Sequence, residues 1–204
     1  MTRQTDPTAL PVTAVVLAGG MGRRMGGEDK GLITLKGHPL VEYALRALAP
    51  QVDGIIISAN RNLERYSRYG YPVVSDTIGE YCGPLAGMAA AMAAAPAGWL
   101  VTAPCDSPLI PGDYVARMVE GLANDDAEIA VARDSERLQP VFALIPTQLQ
   151  ESLIRFLESG ERKIDRWYGR HRYTEIDFSD RPSMFLNLNR PEEREALENA
   201  LATP

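Results

Sequence analysis

The chain has 204 residues, enough for one ordinary domain or two very small ones, and its 45% hydrophobic and 24% charged content is that of a folded globular protein rather than a disordered one. A formal charge of -6 argues against a surface built mainly to neutralise nucleic-acid phosphates, so any anion site must be local. Two cysteines, Cys82 and Cys105, are too few for a disulfide framework or a four-ligand zinc site, and no uncharged apolar stretch reaches membrane-spanning length. A reducing, cytoplasmic setting without membrane or nucleic-acid partners is expected.

Residues 1–10 read as a polar leader, expected to be flexible, and lack the basic start and apolar run of a secretory signal. Val12 to Leu17 is a β-branched run ending in glycines, the pattern of a strand buried on both faces. After the glycine-rich turn, Pro39 opens a helix with Leu40, Val41, Ala44, Leu45 and Leu48 at helical spacing, and Gly54 to Ser58 supplies the next buried strand. The alternation continues through a short strand at Val73-Val74, a helix from Pro84 to Ala95, a strand from Trp99 to Thr102, and a helix opened by Pro111 with Val115, Met118, Val119 and Leu122 on one face. Strands at Ile129 to Ala132 and Val141 to Leu144 follow, then a helix from Thr147 to Glu158, a strand near Thr174 to Phe178 and a final helix from Pro191 to Ala202. Strands alternating with helices predict an α/β domain of three layers, a Rossmann-like and mostly parallel sheet with helices on both faces. No linker or repeat divides it, so residues 11–204 read as a single domain, with ligands expected at the strand C-termini.

Three stretches carry chemistry. Residues 17–31, LAGGMGRRMGGEDKG, hold six glycines, Arg23, Arg24 and Lys30 directly after the first strand. Glycines let backbone N–H groups turn toward phosphate oxygens while the cations add charge-assisted donors, and the position at a strand end favours an anion over a merely solvated loop. The stretch is neither a Walker A loop, because Lys30 stands between Asp29 and Gly31, nor a dinucleotide fingerprint, whose third glycine would fall at Met25. The second stretch, Thr102 to Pro108, leaves Asp106 as a single exposed aspartate at a strand end, suited to Mg²⁺ if it is not a helix or turn cap. Asp76, at the end of the Val73-Val74 strand, is a weaker candidate of the same kind. The third, Gly83 to Met88, is a helix N-terminus that offers N–H groups to an anion or a base edge, or serves only close packing at Gly87. His38 and His171 are too few for a metal or nucleophile site and read as loop or surface residues. Cys105 reads as a buried structural thiol, and the cluster Arg162 to Arg172 as a partly buried amphipathic surface rather than a ring-stacking site.

Taken in order, LAGGMGRRMGGEDKGL, GPLAGM, APCDSPLI, QPVFAL and NLNRPEE resemble the molybdenum cofactor guanylyltransferases of the nucleotidyltransferase superfamily, over nearly the whole chain. The first motif alone marks the wider superfamily; the GGxDKGL extension and the paired asparagines narrow it. The resemblance implies a nucleotide-diphospho-sugar transferase-like fold and transfer of GMP from MgGTP to the terminal phosphate of Mo-molybdopterin, giving the guanine dinucleotide cofactor and pyrophosphate. It implies that Leu17, Ala18 and Gly19 hold the nucleotide, that Gly20 and Gly22 shape the loop, and that Lys30 meets the triphosphate. Asn60 and Asp76 would complete the nucleotide site, Asp106 would bind Mg²⁺, and Gly83 would form part of the guanine-side wall. Arg24, Asn187 and Asn189 would face the pterin, with Arg24 counted beside Lys30 and Asp106 among the catalytic groups. The partners so implied are GTP, Mo-molybdopterin, a molybdopterin-loading protein, and recipient molybdoenzymes or their chaperones. The rivals are a cytidylyltransferase acting on the same pterin or on a sugar or alcohol phosphate, and a non-catalytic nucleotide-binding module or cofactor carrier.

Overall fold

A computed structural model of the chain describes residues 11–20, 28–78, 83–188 and 193–201. Seven strands form the main sheet: β1 (Val12–Leu17), β4 (Gly54–Ser58), β5 (Val73–Val74), β6 (Trp99–Pro104), β7 (Ile129–Arg133), β8 (Leu138–Pro146) and β9 (Tyr173–Asp177), in the order β5-β4-β1-β6-β8-β7-β9. A separate two-stranded hairpin joins β2 (Thr34–Leu35) to β3 (His38–Pro39). In the main sheet β5, β4, β1 and β6 pair in parallel, as do β7 and β9, and β8 alone runs against both its neighbours. The mostly parallel sheet read from the sequence is therefore present. Its antiparallel member follows from the four-residue link between β7 and β8. There the Asp134 carboxylate accepts the N–H groups of Glu136 and Arg137, at 2.8 Å each, and closes a turn too short for a crossover.

Strand alternation sorts the core into layers. Ala14 and Val16 of β1, with Ile55 and Ile57 of β4, face α1 (Leu40–Leu48) and α4 (Tyr114–Asn124). Val15 and Ile56 face the other way, onto α3 (Pro84–Ala94), α5 (Gln150–Glu158) and α6 (Ile164–Tyr168). Both faces of the sheet are covered, which is why these strands are continuous apolar runs. The alanine-rich α3 is buried from Leu85 to Met92 and lies close on the sheet. A Cβ at Gly87 would stand 2.4 Å from Ser58 Oγ and 3.0 Å from Leu17 Cδ2, so only glycine lets the helix settle there. This sets the first turn of α3 over the C-terminal ends of β1 and β4.

The structure shifts several boundaries. The helix expected from Pro111 begins at Tyr114, because Pro111 to Asp113 form a turn whose carbonyl accepts the Tyr114 N–H at 3.2 Å. The helix expected from Thr147 opens as a 3-10 turn, Thr147–Leu149, before α5. Helix α2 (Leu63–Ser67) and the β2–β3 hairpin had no signal, being shorter than one amphipathic period. Trp167 and Tyr168 are buried while Arg162, Arg166, Arg170 and Arg172 along the same stretch stay exposed, as an amphipathic surface requires. His171 lies in the loop between α6 and β9, as expected, and is half-buried there, its ring set edge-on to Trp167 and its Nε2 3.0 Å from Ser152 Oγ, and burial lowers its pKa. The final helix is described as α7 (Glu193–Ala200), and its expected start at Pro191 and the leader 1–10 lie outside the described residues. A small cluster of Leu35, Leu40, Leu188 and Leu197 docks the hairpin, α1 and α7 together beside the loop after β6.

Candidate active site

Parallel register alone assembles the site. Leu17 is opposite Ser58 on one side and Pro104 on the other, and Ser58 is opposite Val74, so β5, β4, β1 and β6 end in one row. Backbone bonds extend the row by one residue: Ala18 N–H donates to Ser58 O at 2.7 Å, Ala59 N–H to Val74 O at 2.9 Å, and Cys105 N–H to Leu17 O at 3.0 Å. Leu17, Ala18, Gly19, Asn60, Asp76 and Asp106 therefore share one edge of the sheet, where an open α/β sheet leaves its crevice.

On the β6 side, Lys30 opens the 3-10 turn Lys30–Leu32, and its Nζ donates to Asp106 Oδ2 at 2.9 Å. Asp106 is not the exposed aspartate that its position between Pro104 and Pro108 suggested: it is 7% exposed. The lysine crosses 76 residues of sequence to cover it. Lys30 is aimed by its neighbours. The Asp29 carboxylate is buried and accepts the Tyr66 hydroxyl at 2.5 Å and Asn62 Nδ2 at 2.9 Å. Gly31 fits because a Cβ there would meet the Tyr66 hydroxyl at 2.5 Å and Cys105 Sγ at 3.3 Å. Burial first, then the nearby Asp106 and Asp29 carboxylates, push the Cys105 thiol up, so it is a neutral packing group and no nucleophile. Burial likewise raises the Tyr66 phenol, which stays a hydrogen-bond donor. Leu188 N–H donates to the Asp106 carbonyl at 3.2 Å and brings half-buried Asn187 alongside.

On the β4–β5 side, Asn60 and Asp76 grip each other: Asn60 Nδ2 donates to Asp76 Oδ2 at 2.8 Å and Asp76 N–H donates to Asn60 Oδ1 at 2.9 Å. Burial raises the Asp76 carboxyl above the usual carboxylate range, opposed by the Asn60 hydrogen bond. Gly83, at φ +69°, precedes α3 one turn before Gly87 and so lies at this same edge. Gly20 is exposed at the mouth of the loop. Gly22, Arg24 and Asn189 lie outside the described residues.

Arg61, Asn62 and Tyr66 also join the site, though no motif marks them. Arg61 follows Asn60 and reaches back to the glycine-rich stretch, donating through Nη2 to Gly20 O at 3.1 Å and to Glu28 O at 2.9 Å. A basic residue next to a candidate ligand asparagine was the only signal available. A cleft of about 540 Å³ opens beside Asp29, between Leu32, Thr34, Arg65, Leu188 and Arg194, within the range of small-molecule sites. Among the described residues no three His, Cys, Asp or Glu side chains gather as metal ligands. A divalent ion here would rest on few protein oxygens, which suits one that completes its shell with water and phosphate. Lys30 is the only described side chain hydrogen-bonded to the Asp106 carboxylate, and it uses Oδ2, so the donor chemistry fits one carboxylate to such an ion.

The chain is similar to several known proteins. A family model described as MobA-like NTP transferase domain matches residues 14–174. A molybdenum cofactor guanylyltransferase of Shewanella pealeana is 52% identical over 194 residues, covering 95% of this chain and 97% of the relative. The enzyme of the same name from Shewanella halifaxensis is 51% identical over 191 residues, covering 94% and 96%. Among solved structures, molybdopterin-guanine dinucleotide biosynthesis protein A from Archaeoglobus fulgidus superposes with a TM-score of 0.77 at 22% identity, covering 94% of this chain and 100% of that one.

Proposed function

The chain belongs to the MobA-like NTP transferase family, and from that premise we propose that it transfers GMP from MgGTP to the terminal phosphate of Mo-molybdopterin, releasing pyrophosphate. The observation that carries the chemistry is the 2.9 Å pair of Lys30 and Asp106 at the end of β6, one cation and one metal-competent carboxylate at the row of strand ends. Attack of one phosphate on another is slow because both are anionic, so the protein's task is to align them and spread positive charge over them.

The residues divide that task. Backbone N–H groups of Gly19 and Gly20, just past the Leu17–Ala18 strand end, and Lys30 Nζ face the triphosphate, and Asn60, buttressed by Asp76, orients the nucleoside. Gly83 lies on the guanine side. Asp106 holds Mg²⁺, which when bound neutralises phosphate charge. Lys30 is held by Asp106 before substrate arrives, so its charge is already placed and needs little reorganisation. Gly22 is assigned to shaping the loop and Arg24, Asn187 and Asn189 to the pterin, Asn187 standing one residue before Leu188, which lines the cleft. The attacking phosphate is ionised at neutral pH, so no general base or covalent nucleophile is needed, in keeping with a neutral Cys105 and histidines placed elsewhere.

Residence in the cytoplasm and hand-over from a molybdopterin-loading protein to recipient molybdoenzymes or their chaperones belong to this reading. The sparse cysteines support the first, and no helix among the described residues is long and apolar enough to cross a membrane. Pyrophosphate release with GTP, CTP, ATP and UTP, each with Mg²⁺ and Mo-molybdopterin, tests the proposal. GTP alone should support turnover; turnover with CTP in its place would assign the rival cytidylyl activity, and tight GTP binding without product a carrier role.

A further inference from the structure

We propose that Arg61 is a positioning residue that ties the two ends of the glycine-rich segment together and thereby sets where Lys30 stands. One terminal nitrogen, Nη2, donates to the carbonyls of Gly20 at 3.1 Å and Glu28 at 2.9 Å. The residues between them lie outside the described set, and only the two ends enter here. The guanidinium also lies along the buried Asp29 carboxylate, Nε to Oδ2 3.8 Å, with the Asp29 side chain 4% exposed. Asp29 is fixed in turn by Tyr66 and Asn62 from the segment that follows β4.

One stretch, Asn60 to Tyr66, thus does three things. Asn60 meets Asp76 on the nucleotide wall, Arg61 fixes the entry and exit of the glycine-rich segment, and Asn62 with Tyr66 fixes Asp29 beside Lys30. Asn62 itself sits at φ +53°, a left-handed conformation that asparagine tolerates, which turns the chain so that neighbouring side chains serve different walls. Glu28 directly precedes Asp29 and Lys30, so a tie from Arg61 to the Gly20 and Glu28 carbonyls fixes the backbone from which Lys30 projects. Arg61 makes no claim on the reacting atoms; it acts through Gly20, Glu28 and Asp29.

The inference rests on the proposed nucleotidyl transfer only for its kinetic readout, and a second readout is independent of it. In the full chain Arg61→Ala should lower kcat/KM for GTP by about 10- to 100-fold, the effect of a small misplacement of binding groups. Arg61→Lys, whose Nζ also carries more than one N–H, should stay within about threefold of the parent. Guanidinium ion at tens of millimolar should partly restore Arg61→Ala and leave Lys30→Ala unchanged. Independently of any activity, hydrogen exchange of the Leu32 and Ile33 amides, which close the turn on Asp29 O at 3.0 Å and Lys30 O at 3.1 Å, should quicken about tenfold in Arg61→Ala while the β1 and β6 amides hold their rates. Should Arg61→Ala fail to fold, Arg61→Gln carries both measurements. Unchanged exchange at Leu32 and Ile33 overturns the inference whatever the activity. Parental kcat/KM in Arg61→Ala, or a loss that neither lysine nor guanidinium relieves, also overturns it. A parent chain that makes no product from GTP sinks the proposed function instead and leaves the exchange test to decide Arg61.

Discussion

Removing either member of the Lys30–Asp106 pair separates its catalytic role from its structural one. The two groups are 2.9 Å apart, with side chains 21% and 10% exposed, so each substitution strands a charge that water reaches only in part. Breaking a fully buried pair costs about 3–5 kcal/mol. Hydrogen bonds to charged groups are worth about 1.5–3. With a fifth of the lysine in water, screening brings the loss to about 2 kcal/mol. For a domain of this length that lowers Tm by about 4–8 °C and leaves the protein folded at 25 °C. The rate responds differently, because Lys30→Ala and Asp106→Ala each remove a charge-stabilising group and should lower kcat by about two to three orders of magnitude. Pyrophosphate release and thermal midpoints measured on the same preparations report both quantities. The double variant should lose less than the product of the single losses, because the two charges serve one set of phosphates. Near-parental turnover in both folded single variants would refute the assignment.

Gly87→Val should fold poorly or lose more than about 3 kcal/mol in urea titration, since even a Cβ would overlap Ser58 Oγ and Leu17 Cδ2; parental stability would mean α3 does not seat on β1 and β4 as described. Cys105, 4% exposed and with its thiol pushed up by burial, should resist iodoacetamide at pH 8 in the native chain and react on unfolding, as read by peptide mass spectrometry. Because the folded Asp76 carboxyl is raised, the folded state holds its proton more tightly than the unfolded chain. That contribution is full below the unfolded value near pH 4 and is lost as pH rises through the folded one. The stability difference between Asp76→Asn and the parent should therefore move in favour of Asp76→Asn from pH 4 to 7, and a flat difference would contradict the burial of Asp76.

What the sequence disclosed and what it withheld divide by range. Strands such as Val12–Leu17 and Gly54–Ser58 were legible because both faces are buried and the apolar run is unbroken, and α1 and α4 because their apolar residues recur at helical spacing. The shared edge was legible in part as a consequence: Asp76 and Asp106 follow strand ends that parallel register brings together, whereas Leu17 and Asn60 were singled out only by the family resemblance. Nothing local says that Asp106 is covered by a lysine 76 residues away, or that Tyr66 and Asn62 reach Asp29. The Tyr66 contact exists only once α2 is packed, and α2 itself is too short to announce its place. Arg61 escaped for a related reason: two of its partners are the backbone carbonyls of Gly20 and Glu28, and backbone carbonyls leave no mark on side-chain identity.

Labelled GTP tests the central claim most directly. With Mg²⁺ and Mo-molybdopterin, label in the α-phosphate of GTP should enter the pterin product while label in the γ-phosphate leaves as pyrophosphate. Label from the γ-phosphate in the pterin product, or no labelled product from either, would contradict guanylyl transfer at this row of strand ends.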